Sequence, residues 1–195
     1  AIIHKDEENI FEEIEFPKPK FLSNIEDEKI TPSQKGTIMH LCMKKLDFSR
    51  DYNYEDIKNL VNYLVVKDFI TQKEADSINI NQILQFTKSN IWTDLRKAKK
   101  CYKEEPFYIN VEEQGENILV QGIIDLYYIN EKDELVLLDY KTDFVHAGEE
   151  EKLIERHKPQ LMIYKQALEN ALNKKVSKVY IYSTVLGKEL EVLTN

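Results

Sequence analysis

Apolar positions along this chain change period twice. From about residue 31 they recur at helical spacing. Ile38, Leu41, Cys42 and Leu46 follow Thr31 and Ser33, two candidate N-caps, with Pro32 suited to a first turn. A second helix is predicted from about Tyr54 to Asp68, with Ile57, Leu60, Val61 and Leu64 on one face. A third opens at Thr71, where Glu74 completes a capping box. Residues 80–87 and 91–100 predict two more short helices. After Cys101 the pattern turns to strands: Phe107 to Val111, then Asn117 to Ile129, with a turn over Gln114 to Asn117. Leu135 to Leu138 is apolar on both faces, as a central strand is. A long helix over about 149–172 places Leu153, Leu161, Tyr164 and Leu168 near one face. Residues 176–185 alternate, with Val179, Ile181 and Ser183 opposed to Tyr180 and Tyr182, and Glu189 to Leu193 suggests an edge strand. This order gives an α/β sandwich built on a mixed sheet flanked by helices. It carries an N-terminal helical insertion at about 48–100 and a core at about 101–195, so that 31–195 form one domain.

Residues 1–30 hold Pro17, Pro19 and many charges without a period, and read as a linker on which Phe16 and Phe21 dock. The start at Ala1 suggests a domain excised from a longer protein, and a processed terminus would look the same. With 195 residues, 42% of them hydrophobic and 32% charged, the chain is long enough to bury a core. No apolar run approaches the ~20 residues of a membrane span, and no signal segment opens the chain, so a cytoplasmic protein with no membrane contact is expected. The two cysteines, Cys42 and Cys101, are too few for a typical iron–sulfur cluster and are expected as free thiols. The net charge of −8 argues against a self-sufficient nucleic-acid binder. It leaves two readings: acidic residues gathered around metal ions, or a grip on DNA supplied by other parts of a larger protein.

The chemistry concentrates in Gly122-Ile-Ile-Asp125 and Leu138-Asp-Tyr-Lys-Thr-Asp143. Asp125 is a charge inside an apolar strand, and Asp139 ends the most hydrophobic one. Lys141, two residues on, points to the same side as Asp139. If the two strands pair as a hairpin, all three converge. Burying two carboxylates together is costly unless a cation neutralises them, and hard oxygen ligands suit Mg²⁺ or Mn²⁺. A lysine beside them suits phosphoryl chemistry. An Asp-x-Lys at a strand end is by itself most often a surface ion pair; Asp125 one strand earlier is what changes the balance.

These segments resemble the active-site signature of the PD-(D/E)XK nucleases. More narrowly, they resemble the RecB-type nuclease domain of bacterial helicase–nucleases, of the AddA-type subunit in particular. Lys35-Gly-Thr-Ile-Met-His40 resembles the family's upstream Gly-Thr-x-x-His motif. Lys103-Glu-Glu-Pro-Phe107 resembles its Glu-x-Pro-Phe stretch, with Glu104 and Glu105 both standing for the acid. Gln160-Leu-Met-Ile-Tyr164 resembles its Gln-x-x-x-Tyr motif. The resemblance spans about 35–168 and implies a restriction-endonuclease-like fold. It implies that Asp125 and Asp139 ligate the metal and that Lys141 is the catalytic lysine. His40 and the carbonyl of Tyr140 would complete the metal shell, and Gln160 and Tyr164 would face DNA or brace the ligands. Thr142 and Asp143 would orient the loop after the strand, while His146 and His157 would lie at the surface. Pro159, just before Gln160, is expected to kink or start a helix. The cluster-free type of helicase–nuclease is implied, since the cysteines of an iron–sulfur staple are missing. No phosphate-binding Gly-x-x-x-x-Gly-Lys loop occurs, so any motor lies outside these residues. The implied function is metal-dependent cleavage of DNA strands fed by a helicase, in double-strand-break repair. The implied partners are DNA, a second helicase–nuclease subunit and the helicase part of a parent chain. Two alternatives remain: a non-catalytic DNA-binding scaffold of the same fold, and a stand-alone phage-type exonuclease.

Overall fold

The structure is a computed structural model that describes residues 29–113 and 116–192. The linker read at 1–30 and the turn at 114–117 therefore lie largely outside the described residues. Five helices come first: α1 (Pro32–Lys45), α2 (Tyr54–Val66), α3 (Gln72–Asp76), α4 (Ile80–Phe86) and α5 (Asn90–Lys97). Capping chemistry starts them where the sequence places it. Thr31, Asn53 and Thr71 each accept the N3 amide while the N3 side chain returns to the cap amide, so two orphan groups are satisfied at once. Of the two candidate caps for α1, Thr31 is the one used.

The strands are β1 (Lys100–Glu113), β2 (Glu116–Ile129), β3 (Leu135–Lys141), β4 (Val176–Ser183) and β5 (Lys188–Glu191), with α6 (Glu150–Leu172) between β3 and β4. They form one mixed sheet in the order β1-β2-β3-β4-β5, antiparallel except for the β3–β4 pair, which α6 connects as a crossover. The first strand is much longer than its apolar stretch predicts, because Lys100 to Pro106 pair with β2 despite their charges.

The sheet separates two cores. Leu126, Tyr128, Val136, Leu138, Tyr140 and Tyr182 face the layer of α1–α5, where Phe86 sets its ring edge against Tyr140, Tyr182 and Trp92. Tyr127, Leu135, Leu137, Val179 and Ile181 face α6, which buries Leu153, Leu161 and Leu168. Residues 48–100 thus join α1 in covering one face of the sheet. Both cysteines are free thiols, Cys42 buried in the helical layer.

Two irregularities prepare the site. Strand β2 pairs with β3 over four positions only, from Ile129↔Leu135 to Leu126↔Leu138, and then leaves it. At the same level the β1–β2 ladder skips one pair, Glu104 and Asp125, and Glu104 adopts φ 50, a left-handed value costly for a residue with a Cβ. The ribbon rolls over there. Leu126 packs into the helical core, while Ile124, which a regular strand would place on the same face, packs with Phe107 and Ile109 over α6. Gly122 permits this, for a Cβ there would stand 2.7 Å from Cε1 of Phe107, whose ring is held on its other side by Tyr164 of α6 at 5.2 Å.

Candidate active site

Where β2 parts from β3, the amide of Tyr140 loses its strand partner. The side chain of Asp125 replaces it: Oδ2 accepts from Tyr140 N at 2.9 Å. Its other oxygen, Oδ1, lies 3.2 Å from Nδ1 of His40 on α1. Continuing the β2–β3 register one step sets Asp125 opposite Asp139. Asp139 is 3% exposed, in a position where an uncompensated charge is not tolerated. Its buried Oδ2 lies 3.0 Å from Nζ of Lys141, which is its ion-pair partner. Lys141 in turn donates to Oε1 of Gln160 on α6 at 2.9 Å. One layer therefore brings His40, the other brings Gln160, and the sheet carries the two carboxylates and the lysine between them.

Electrostatics divide the labour. Burial opposes charge on Asp125, but His40 and the Tyr140 amide outweigh it and hold the carboxyl below the usual range. Burial, and then the neighbouring Asp125, push Asp139 up despite Lys141. Burial also opposes charge on Lys141, yet Asp139 and Asp125 raise its pKa, so it is a cation at neutral pH. The imidazole of His40 is desolvated, and Asp125 and Asp139 nonetheless raise it from 6.5 to about 9.

The helix carrying His40 is seated by both of its ends. Gly36, in the first turns of α1, would set a Cβ 3.0 Å from Oγ1 of Thr142, so the two motifs touch where one lacks a side chain. At the other end Lys103 donates to the carbonyls of Lys44 (3.1 Å) and Leu46, capping the helix, while Lys44 pairs with Glu104. Of the two adjacent acids, Glu104 is the one at the site: with His40, Lys44, Lys103, Asp125 and Tyr140 it lines a cavity of about 10 Å³. Glu105 pairs in register with Ile124 and lies near Tyr127 instead. The roles of Lys103 and Lys44 are absent from the motif reading. Two lysines beside a Glu-Pro stretch carry no pattern that separates them from surface charge.

Tyr164 meets Phe107 edge-on and braces the ribbon that bears Asp125. Pro159 does not end or start a helix; α6 runs through it from Glu150 to Leu172. Its missing amide costs one helical bond on an exposed flank. His157, expected at the surface, is half-buried, with Nε2 3.2 Å from Oδ2 of Asp143, and Arg156 reaches the same carboxylate at 3.1 Å. Together they hold Asp143 well below the usual carboxylate range and tie the loop after β3 to α6. His146 is exposed. A surface groove of about 700 Å³ between α4, α5 and the turn before β5 is lined by Asn81, Gln85, Lys88, Asn90 and Glu189 and gathers no comparable buried charge.

Among the described residues no three His, Cys, Asp or Glu side chains surround a common point as they stand. The donor set nevertheless fits a divalent cation. It offers two carboxylates, an imidazole and the Tyr140 carbonyl, with His40, Asp125 and Tyr140 lining a cavity of ionic size. No described helix is long and apolar enough to cross a membrane.

Residues 13–191 match the sequence model of the PD-(D/E)XK nuclease superfamily. An ATP-dependent helicase/nuclease subunit of Clostridium novyi is 38% identical over 187 residues, covering 90% of this chain and 15% of that protein. Its namesake from Thermoanaerobacter sp. is 37% identical over 201 residues, covering 97% of this chain and 16% of that protein. The chain thus spans about one-sixth of the length of these relatives. Among solved structures, that of SSO0001 aligns with TM-score 0.39 and 14% identity, covering 81% of this chain and 78% of the other.

Proposed function

Because the chain belongs to the PD-(D/E)XK nuclease superfamily, whose members generally use divalent metal ions, we propose that it is a Mg²⁺-dependent deoxyribonuclease domain. In this reading it hydrolyses phosphodiester bonds of single strands, exonucleolytically, as a helicase feeds them. Asp125, Asp139, His40 and the carbonyl of Tyr140 would hold the ion, and Mn²⁺ would substitute. Held there, the ion would supply Lewis-acid activation of a water and charge neutralisation at the scissile phosphate.

The observation that carries this reading is the convergence of Asp125, Asp139 and protonated Lys141 at the point where β2 and β3 separate. Asp125 stays ionised because His40 and the Tyr140 amide stabilise its charge. Lys141 offers a fixed positive charge to the negative charge that grows on the phosphate oxygens as water attacks phosphorus and the ester P–O bond breaks. With its pKa raised, it serves as an electrostatic group and not as a base. Gln160 is a positioning residue: its bond to Nζ fixes which way the ammonium points. The net reaction transfers no group to the protein, and no covalent intermediate is expected. The relatives' description as helicase/nuclease subunits supports a setting in which the partners are DNA, a motor in the same longer chain and a second helicase–nuclease polypeptide, in break repair and recombination.

The test is cleavage of end-labelled single-stranded DNA with Mg²⁺, Mn²⁺ or EDTA, comparing wild type with Asp139→Ala and Lys141→Ala. Metal-dependent cutting reduced by about 10²-fold or more in both variants supports the reading. Cutting that survives both substitutions sinks it, and DNA binding without any cutting favours a scaffold.

A further inference from the structure

Beyond Asp125 the β1–β2 ribbon has one covered face and one open face. The covered face, with Phe107, Ile109 and Ile124, lies over α6. The open one is set by register: Pro106 pairs with Ile123, Tyr108 with Gln121, Asn110 with Leu119. Cross-strand partners share a face, and residues two apart along a regular strand do too, so these six share the ribbon's open face, which ends where the ladder breaks at Glu104 and Asp125. All six residues are exposed, Tyr108 at 70%, Leu119 at 64% and Ile123 at 39%. An aromatic and apolar row this open on a narrow ribbon marks a contact surface. None of the six is charged, in a chain whose net charge is −8. This is a lane next to the candidate site on which a polyanion meets no fixed like charge. Tyr108 stands four residues from Glu104, about 13 Å along the ribbon at about 3.3 Å per residue.

We infer that this face is a stacking platform for the bases of the single strand whose backbone enters the site, with Tyr108 as its principal base contact. The inference rests on the nuclease reading for its choice of occupant. Stacking on an exposed ring is indifferent to base identity, which suits a strand of any sequence. The lane's lack of cations leaves backbone attraction to the site itself, where Lys44, Lys103 and Lys141 lie.

Fluorescence anisotropy in EDTA, where nothing is cut, tests it directly. The probes are labelled oligothymidylate and an abasic strand of equal length and charge. Wild type binds oligothymidylate more tightly than the abasic strand. Tyr108→Ala weakens oligothymidylate binding by about tenfold and leaves the abasic strand unchanged, while Tyr108→Phe keeps the wild-type preference. Equal binding of the two strands by wild type, equal loss on both in Tyr108→Ala, or no loss at all overturns the platform; the last result would assign the face to another part of a longer protein. Because Tyr108 makes no core contact, circular dichroism of the variant should match wild type. The two readings fail separately. A chain that does not cut but shows the Tyr108-dependent preference loses the nuclease and keeps the platform, and a chain that cuts without that preference does the reverse.

Discussion

The carboxylate of Asp125 does two jobs with its two oxygens, one structural toward the Tyr140 amide and one electrostatic toward His40. His40 answers with a pKa near 9, above its ordinary 6.5. A group whose folded pKa is raised stabilises the fold fully below its unfolded value and loses that contribution as pH climbs through the folded one. In EDTA, wild type should therefore lose stability between about pH 6.5 and 9 relative to His40→Gln, and thermal melts across that window check it. Since 31% of the side chain is open to water, the effect is expected to be modest. A ligating imidazole must be neutral, so metal affinity should rise over the same window by up to about tenfold per pH unit. Calorimetry in buffers of different ionisation heat should register the released proton. Parallel pH profiles for wild type and His40→Gln would remove His40 from the ligand set. At this scale the sequence is informative about which residues carry charge into apolar surroundings, and Asp125, Asp139, Lys141 and His40 do converge. It is silent on the helix-capping Lys103, on the Lys44 partner of Glu104 and on the His157–Asp143 pair, whose partners lie 57, 60 and 14 positions apart and leave no local periodicity.

Among the elements, the hydrophobic pattern locates β3, β4, α6 and every helix start within a residue or two, because each interior has its own period and the starts of α1, α2 and α3 carry capping boxes, though α6 begins without a side-chain cap. The first half of β1 is hidden for a physical reason. Its side chains serve the neighbouring helix rather than an apolar face: Lys103 lies over the Phe48 ring and on the end of α1, and Glu104 lies on Lys44. The ribbon's second half depends on the wedge of Tyr164, Phe107 and Gly122. Gly122→Ala should force the Phe107 ring aside and cost about 1–3 kcal/mol, read by urea denaturation. Adding Phe107→Leu to the same chain should recover part of that loss, as contacting residues couple. If Gly122→Ala unfolds at the wild-type midpoint, the close approach has slack that the geometry does not suggest.

For the molecule as a whole, the sequence divides the chain into a helical insertion and a catalytic core, yet the two are halves of one buried interior. Replacing residues 48–99 with a short linker would bare Leu126, Tyr128, Val136, Leu138, Tyr140 and Tyr182. The shortened chain should lose cooperative unfolding and bind a hydrophobic dye; a sharp transition in it would show the α6 side to be self-sufficient. That dependence is invisible to pattern reading, since an amphipathic helix declares that it covers something but not what. The central strand has a further consequence for the chain as it is made. Lys141 lies between β2, already synthesised, and two later elements, β4 and the α6 residue Gln160 that steers its ammonium. A polypeptide emerging from the ribosome holds both aspartates and the lysine well before it holds the parts that aim them. Under the proposed function, the grouping around Lys141 is completed only once β4 has been translated and docked.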